Sequence, residues 1–275
     1  MKEFLDAGQV GCSFTDLLAR CDPGLLPRFV ASRAEASAGG PGPGALPAAG
    51  EMPHGTTILA LQYRDGVAIA GDRQATEGYQ VAHRRIEKVA KADEHSAIAI
   101  AGAAGPCLEM TKLFQTELAH YEKLEGVVLS LEGKANKLAQ MIRMNLPAAL
   151  QGLVVIPIFV GYDLRGGVGK IFKYDVTGGR YEETDFYATG SGGKDARATL
   201  KRLFRAGMDE AEALRAACEA LVDAAEEDVG TAGPDFVRGI FPTVKLVRRD
   251  GITDVTEAGV GEVCRQVVEA RRRAA

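Results

Sequence analysis

The sequence predicts an α+β fold: a four-layer αββα sandwich of two antiparallel sheets with a helix pair on each outer side. Two observations carry this. Strands and helices come in blocks (strands, two helices, strands, two helices, strands) instead of alternating singly, which favours antiparallel sheets over a doubly wound parallel one. The blocks also fit together, because two sheets face to face between the helix pairs would bury every apolar face described below. No internal repeat is strong enough to suggest a solenoid.

Each element has a local reason. Thr57 to Tyr63 alternates as a strand, Asp65-Gly66 is a hairpin turn signal, and Val67 to Gly71 forms the return strand. Ile86 to Ala92 and Ser96 to Ala101 read as a second hairpin turning at Asp93-Glu94-His95. A helix is expected from about Pro106 to Leu124, with Leu108, Thr111, Phe114, Leu118 and Tyr121 on one face and Gly126 as its stop. A second begins near Ser130, carries Leu131, Ala135, Leu138 and Ile142, and is limited by Pro147. Val154 to Tyr162, Gly169 to Val176 and Arg180 to Ala188 read as strands. Gly190-Ser191-Gly192-Gly193 opens a helix to about Arg205. Asp209 and Glu212 cap the next, whose apolar face is Leu214, Ala217, Cys218, Leu221, Val222 and Ala225. Strands at about Gly239–Val247 and Ile252–Val255 follow, and Arg265 to Arg273 reads as a basic, solvated tail.

Composition narrows the function. A net charge of −4 gives no bulk electrostatic reason to expect nucleic acid or acidic lipid. No apolar run approaches a membrane span. Met1-Lys2-Glu3-Phe4-Leu5-Asp6 does not read as a secretory signal. Cys12, Cys21, Cys107, Cys218 and Cys264 are odd in number and widely spaced, so reduced thiols in a cytoplasmic protein are expected. With the four histidines equally scattered, neither a metal site nor another cofactor is indicated.

The front of the chain is different in kind. Residues 1–30 hold short apolar patterns such as Phe14-Thr15-Asp16-Leu17-Leu18. Residues 36–50, rich in Ala, Gly and Pro, read as a flexible tract that cannot build a core. The first strand begins just after Gly55-Thr56. If that bond is cut, residues 1–55 leave as a propeptide, residues 56–275 remain as one catalytic domain, and Thr56 gains a free amine beside its hydroxyl. The amine is a base near neutral pH and the hydroxyl a nucleophile. The hydroxyl can make the cut itself, since Gly55 leaves the turn unobstructed. Such a centre needs a cation, a carboxylate to hold it and N–H donors for an oxyanion. Asp72 follows the second strand, Lys88 lies on a later one, and Ala101-Gly102-Ala103-Ala104-Gly105 precedes a helix. Singly each is weak: Asp and Lys at strand ends are mostly solvated charges, glycine-rich turns are mostly structural, and Ser191 also fits a helix N-cap.

Together these residues fall into a familiar pattern. Gly-Thr-Thr at 55–57, Gly71-Asp72-Arg73-Gln74-Ala75-Thr76, Ile86-Glu87-Lys88-Val89, Ala101-Gly102, Gly190-Ser191-Gly192 and Glu227-Asp228 resemble a proteasome β subunit, most closely the bacterial, actinobacterial-type 20S form. The resemblance runs from about His54 to Val260, and from Thr56 through Gly102 the spacing matches without a gap. It departs at Gln74, where many members carry Arg, and at Thr231, where Ser is common.

The resemblance implies an N-terminal nucleophile hydrolase fold and a threonine endopeptidase. Thr56 is then nucleophile and base, Asp72 and Lys88 tune it, Gly102 supplies the oxyanion N–H, and Ser191 and Asp228 fix the amine and proton path. Thr76 and Ala104 bind substrate backbone. Ala75, Ile86, Ala90, Ile100 and Ala104 line an apolar first pocket, so apolar side chains are preferred before the cut bond. The implied partners are seven-membered β rings stacked face to face, capped by α rings, fed unfolded proteins by ATP-dependent or other ring regulators, with no nucleic acid and no membrane. The competing readings are a non-catalytic structural β subunit, which should lack Thr56, Asp72 or Lys88, and a small-molecule amidase of the same fold, which should have a polar pocket.

Overall fold

A computed structural model describes residues 55–77 and 80–274. The expectations for residues 1–54, including the propeptide, its flexible tract, Cys12 and Cys21, lie outside the described residues.

Two five-stranded antiparallel sheets form the centre. The first has the order β10-β1-β2-β11-β12 and the second β5-β6-β7-β8-β9. The first sheet contains β1 (Thr57–Tyr63), β2 (Gly66–Gly71), β10 (Phe186–Gly190), β11 (Thr243–Arg248) and β12 (Gly251–Asp254). The second contains β5 (Val89–Asp93), β6 (Ser96–Gly102), β7 (Val155–Asp163), β8 (Val168–Tyr174) and β9 (Arg180–Glu183). A separate ribbon pairs β3 (Ala75–Glu77) with β4 (Gln80–His83). The helices are α1 (Ala104–Glu125), α2 (Leu131–Met144), α3 (Leu146–Ala149), α4 (Gly193–Leu203), α5 (Glu210–Glu227) and α6 (Glu257–Ala274).

Period-2 alternation sorts the apolar residues between layers. On β1 and β2, Ile58, Ala60, Val67 and Ile69 meet Ala97, Ala99, Ile158 and Val160 of the opposite sheet. The intervening Leu59, Leu61, Ala68 and Ala70 pack outward with Ala217, Cys218 and Leu221 of α5. On the other outer side, Ile98, Ile100 and Phe159 meet Met110 and Phe114 of α1 and Leu138 and Ile142 of α2. The central strands are thus covered on both faces, so they read as nearly continuous apolar runs. The αββα sandwich expected from the block order is the architecture observed.

Several boundaries differ. Arg180 to Ala188 is two strands: β9 pairs with β8 in the second sheet, and β10 pairs with β1 in the first. Strand propensity runs through the segment, whereas the sheet each half joins is set by tertiary packing. The strand after Lys88 begins at Val89, so Lys88 lies in the extended approach to it. Leu108 is exposed, whereas Phe114 and Leu118 of the expected face are buried, joined by Cys107, Met110, Leu113 and Glu117. Ser130 caps α2 through its side chain, and Asp209 and Glu212 form the expected capping box. Pro147 does not end the helical stretch outright, because it sits in the first turn of α3, where a missing N–H is tolerated.

The expected solvated tail is the end of α6. Val260, Cys264 and Val267 recur at helical spacing and are buried, the first two against the first sheet's outer core. Its basic end is anchored too, since Arg271 pairs with Asp223 and Glu226 of α5. Among the described residues, no helix is long and apolar enough to cross a membrane.

Candidate active site

The site forms where β1 begins. Both neighbours of β1 run antiparallel to it, so their C-terminal ends lie beside its first residues. Gly71 pairs with Ile58, and Gly190 pairs with Thr57. The chain leaving β2 therefore brings Asp72 to one flank of Thr56, and the chain leaving β10 brings Ser191 to the other. The sheet switch between β9 and β10 is what makes the second placement possible.

Gly190 has φ +102°, and a Cβ there would lie 1.8 Å from the Thr56 carbonyl oxygen. Only glycine allows this approach. The Ser191 N–H then donates to that same oxygen at 2.8 Å.

Asp72 is a hub. Its Oδ1 accepts the Thr57 N–H at 2.8 Å and Lys88 Nζ at 2.6 Å, and its Oδ2 accepts the Gln74 N–H at 2.9 Å and the Ala232 N–H at 3.2 Å. Its side chain is inaccessible to solvent, and that of Lys88 is nearly so. Burial pushes the Lys88 amine below its ordinary range, and the Asp72 carboxylate opposes that shift. Nζ also lies 3.4 Å from the Gly55 carbonyl oxygen, which accepts the Thr56 hydroxyl at 2.7 Å. A hydroxyl, an amine and the carbonyl of the preceding peptide bond thus meet in one buried corner.

On the far flank, the Thr56 N–H donates to Ser191 Oγ at 3.1 Å, and Ser191 Oγ donates to Asp228 Oδ2 at 2.5 Å. Asp228 Oδ2 also accepts the Thr231 hydroxyl at 2.5 Å. With that hydrogen used, the Thr57 hydroxyl is the donor in its 2.6 Å contact with Thr231, and Thr57 Oγ1 accepts the Gly192 N–H at 3.0 Å. The chain of bonds is directional and satisfied at each step. Gly192 is the N-cap of α4, so Ser191 is turned to Thr56 and Asp228 and not to the helix.

A cleft opens beside Gly55 and Thr56. Ala75, Thr76, Ile86, Ile100, Gly102 and Ala104 line it, together with Glu87, Cys107, Leu108 and Thr111. The Thr76 hydroxyl accepts the Gly55 N–H at 2.9 Å. Gly102 has φ +132°, and a Cβ there would lie 2.0 Å from the Val154 carbonyl oxygen. Ala90 sits behind the wall, packed on the core that Ile100 and Cys107 share. The cleft is less apolar than its expected lining, because Glu87 and Thr111 border it.

Sequence reasoning placed Ala104, the first residue of α1, on the cleft but missed the residues further along the helix. Cys107, Leu108 and Thr111 follow Gly102 at helical spacing, which is the signal that places them on the cleft. Burial pushes the Cys107 thiol up to about 12. The structural part of Gly230 was also missed. It packs so closely that a Cβ on Gly55 would lie 2.1 Å from its Cα. Among the described residues, no group of three or more His, Cys, Asp or Glu is placed to hold a metal ion.

Known proteins bear on this arrangement. A family model described as "Proteasome subunit" matches residues 52–236. "Proteasome subunit beta" of Acidimicrobium ferrooxidans is 57% identical over 222 residues, covering 81% of each chain. "Proteasome subunit beta" of Acidothermus cellulolyticus is 53% identical over 263 residues, 94% of this chain and 87% of the relative. "Proteasome subunit beta 2" of Thermomonospora curvata is 49% identical over 271 residues, 98% of this chain and 92% of the relative.

Proposed function

The chain belongs to the proteasome β subunit family, and on that premise we propose that it is a catalytic threonine endopeptidase activated by its own cleavage at Gly55–Thr56. The observation that carries the reading is the convergence of Asp72, Lys88, Ser191 and Asp228 on Thr56 from separate strand ends and a helix end.

In maturation, the Thr56 hydroxyl gives up its proton as Oγ bonds to the Gly55 carbonyl carbon. The carbon–nitrogen bond breaks, the nitrogen takes a proton, and an ester joins Gly55 to Oγ. Water hydrolyses that ester, releasing Gly55 as a carboxylate and leaving Thr56 with a free hydroxyl and amine. Lys88 Nζ, 3.4 Å from the Gly55 oxygen, favours the negative charge that develops there.

In peptide hydrolysis the free amine takes the hydroxyl proton, Oγ attacks the substrate carbonyl, and the Gly102 N–H stabilises the oxyanion. The proton passes to the leaving amine, and water activated by the Thr56 amine then cleaves the acyl ester. Ser191, held by Asp228, orients that amine. The reading gives Thr76 and Ala104 the backbone of an extended substrate, as Thr76 already holds the backbone of Gly55. Ala75, Ile86 and Ile100 favour an apolar side chain before the cut bond.

The working particle on this reading is a stack of two β heptamers capped by α-subunit rings, acting in the cytoplasm on unfolded proteins delivered by a ring regulator. The test is the intact mass of the wild-type chain after assembly with α subunits. Loss of residues 1–55 is expected, followed by hydrolysis of peptides with Phe, Tyr or Leu before the scissile bond. A chain that stays full length after assembly, or a Thr56→Ala variant that still hydrolyses those peptides, would refute it.

A further inference from the structure

We propose that Gln74 is a positioning residue: its side-chain amide ties the Asp228–Ala232 segment to the Asp72 turn and so sets the Ser191–Asp228–Thr231 contacts beside Thr56. The proposal rests on Thr56 being the reacting centre. Gln74 is buried, and its backbone and side-chain N–H donors are both engaged. Its backbone N–H donates to Asp72 Oδ2 at 2.9 Å, and its Nε2 donates to the Val229 carbonyl at 2.9 Å.

The tie matters because the segment it holds has little apolar anchorage. Glu226, Glu227 and Val229 are exposed, and the Val229 side chain points almost wholly into solvent at 89%. Gly230 offers no side chain. Besides the packing of Gly230 on Gly55 and the Thr57–Thr231 hydroxyl contact, the segment is placed by the Asp72 carboxylate at Ala232, Gln74 at Val229, and Asp228 closing on Gly230 and Thr231. Two of these come from the turn after β2, so the carboxylate that holds Lys88 and the carboxylate that holds Ser191 are coupled through one short span. A shift of Val229 carries Asp228 with it, because they are adjacent. The Gln74 side-chain amide reaches Val229 and is not part of the cleft lining, so its loss acts on catalysis through this segment.

The experiment compares Gln74→Met, which keeps length and burial without the donor, and Gln74→Arg, which keeps a donor, in assembled particles. Losing one buried hydrogen bond predicts a fall in kcat of about fivefold for Gln74→Met, with KM within about twofold. Gln74→Arg should retain most of kcat. In a Thr231→Ala background the Gln74→Met loss should shrink, because both changes release the same segment. In the uncleavable Thr56→Ala chain, Gln74→Met should speed amide exchange at residues 229–232. The proposal is overturned if the wild type is active and Gln74→Met leaves kcat unchanged, if the two losses multiply in full, or if the exchange rates do not move. A wild-type particle with no peptidase activity would instead remove the catalytic reading itself, and this role with it.

Discussion

Asp72→Asn should destabilise the fold more than Lys88→Met, although both should abolish activity. The carboxylate accepts four hydrogen bonds, two on each oxygen. An asparagine keeps one oxygen and turns an NH2 group toward the other two donors. Two buried or half-buried donors are left facing a donor, at about 1–3 kcal/mol each, or roughly 2–6 kcal/mol together. Lys88→Met removes one donor and the counter-charge. Breaking a buried pair typically costs about 3–5 kcal/mol. Here the three remaining amides still solvate the carboxylate, which places the loss at the low end, about 3 kcal/mol. Taking the middle of the Asp72→Asn range, about 4 kcal/mol, the gap is about 1 kcal/mol, or roughly 2–4 °C in Tm for a domain of this size. Thermal unfolding of the unassembled subunit in a Thr56→Ala background measures it without interference from maturation. A Lys88→Met chain that melts below Asp72→Asn would refute the assignment of Asp72 as the structural hub.

The pH dependence of Lys88 has a definite sign. Its folded pKa lies below its unfolded one, so the unfolded chain binds more protons between the two values and stability rises with pH across that window. Denaturant melts from neutral pH upward should show the wild type gaining on Lys88→Met; a constant difference would contradict the role of burial. Gly55→Val should stop cleavage, because a Cβ at that position overlaps the Gly230 backbone; an intact-mass time course reads the result. Cys107 should resist alkylation at pH 8 in the folded protein, since its thiol is pushed up to about 12, and peptide mapping after iodoacetamide treatment checks this. Truncation after Thr256 removes Val260, Cys264 and Val267 from the core. At about 1.5–3 kcal/mol per large buried side chain, several kcal/mol should be lost, visible as a lowered Tm by circular dichroism.

The sequence made the central hairpins legible because Asp65-Gly66 and the alternation around it are local signals. It also singled out Thr56, Asp72, Lys88 and Gly102, which the strand lengths bring to one end of the sandwich. What it hid depended on contacts distant along the chain. The split of 180–188 between two sheets leaves no mark at Thr184-Asp185 stronger than a polar pair inside a strand-like run. The C-terminal helix had its signal, Val260, Cys264 and Val267, but the run of arginines drew the reading toward solvent. Ser191 fits a helix cap by sequence alone, and only the return of β10 to β1 decides between the two uses. Gln74 looked like a departure from a pattern; its bond to Val229 depends on where α5 ends.

The tight seating of Gly55 against Gly230 bears on how two reactions share one centre. A residue before the cut bond with no side chain puts none into the adjoining cleft, so the proposed first turnover draws no side-chain affinity from it. It does not need any. The bond is covalently tethered to the hydroxyl, and well-oriented intramolecular reactions reach effective concentrations of about 10⁵–10⁸ M. A free peptide has no tether and must fill the cleft to be held in register. In the proposed maturation the glycine separates the two regimes: its backbone is held by Thr76, while no side chain before the cut bond enters the cleft as a free peptide's must.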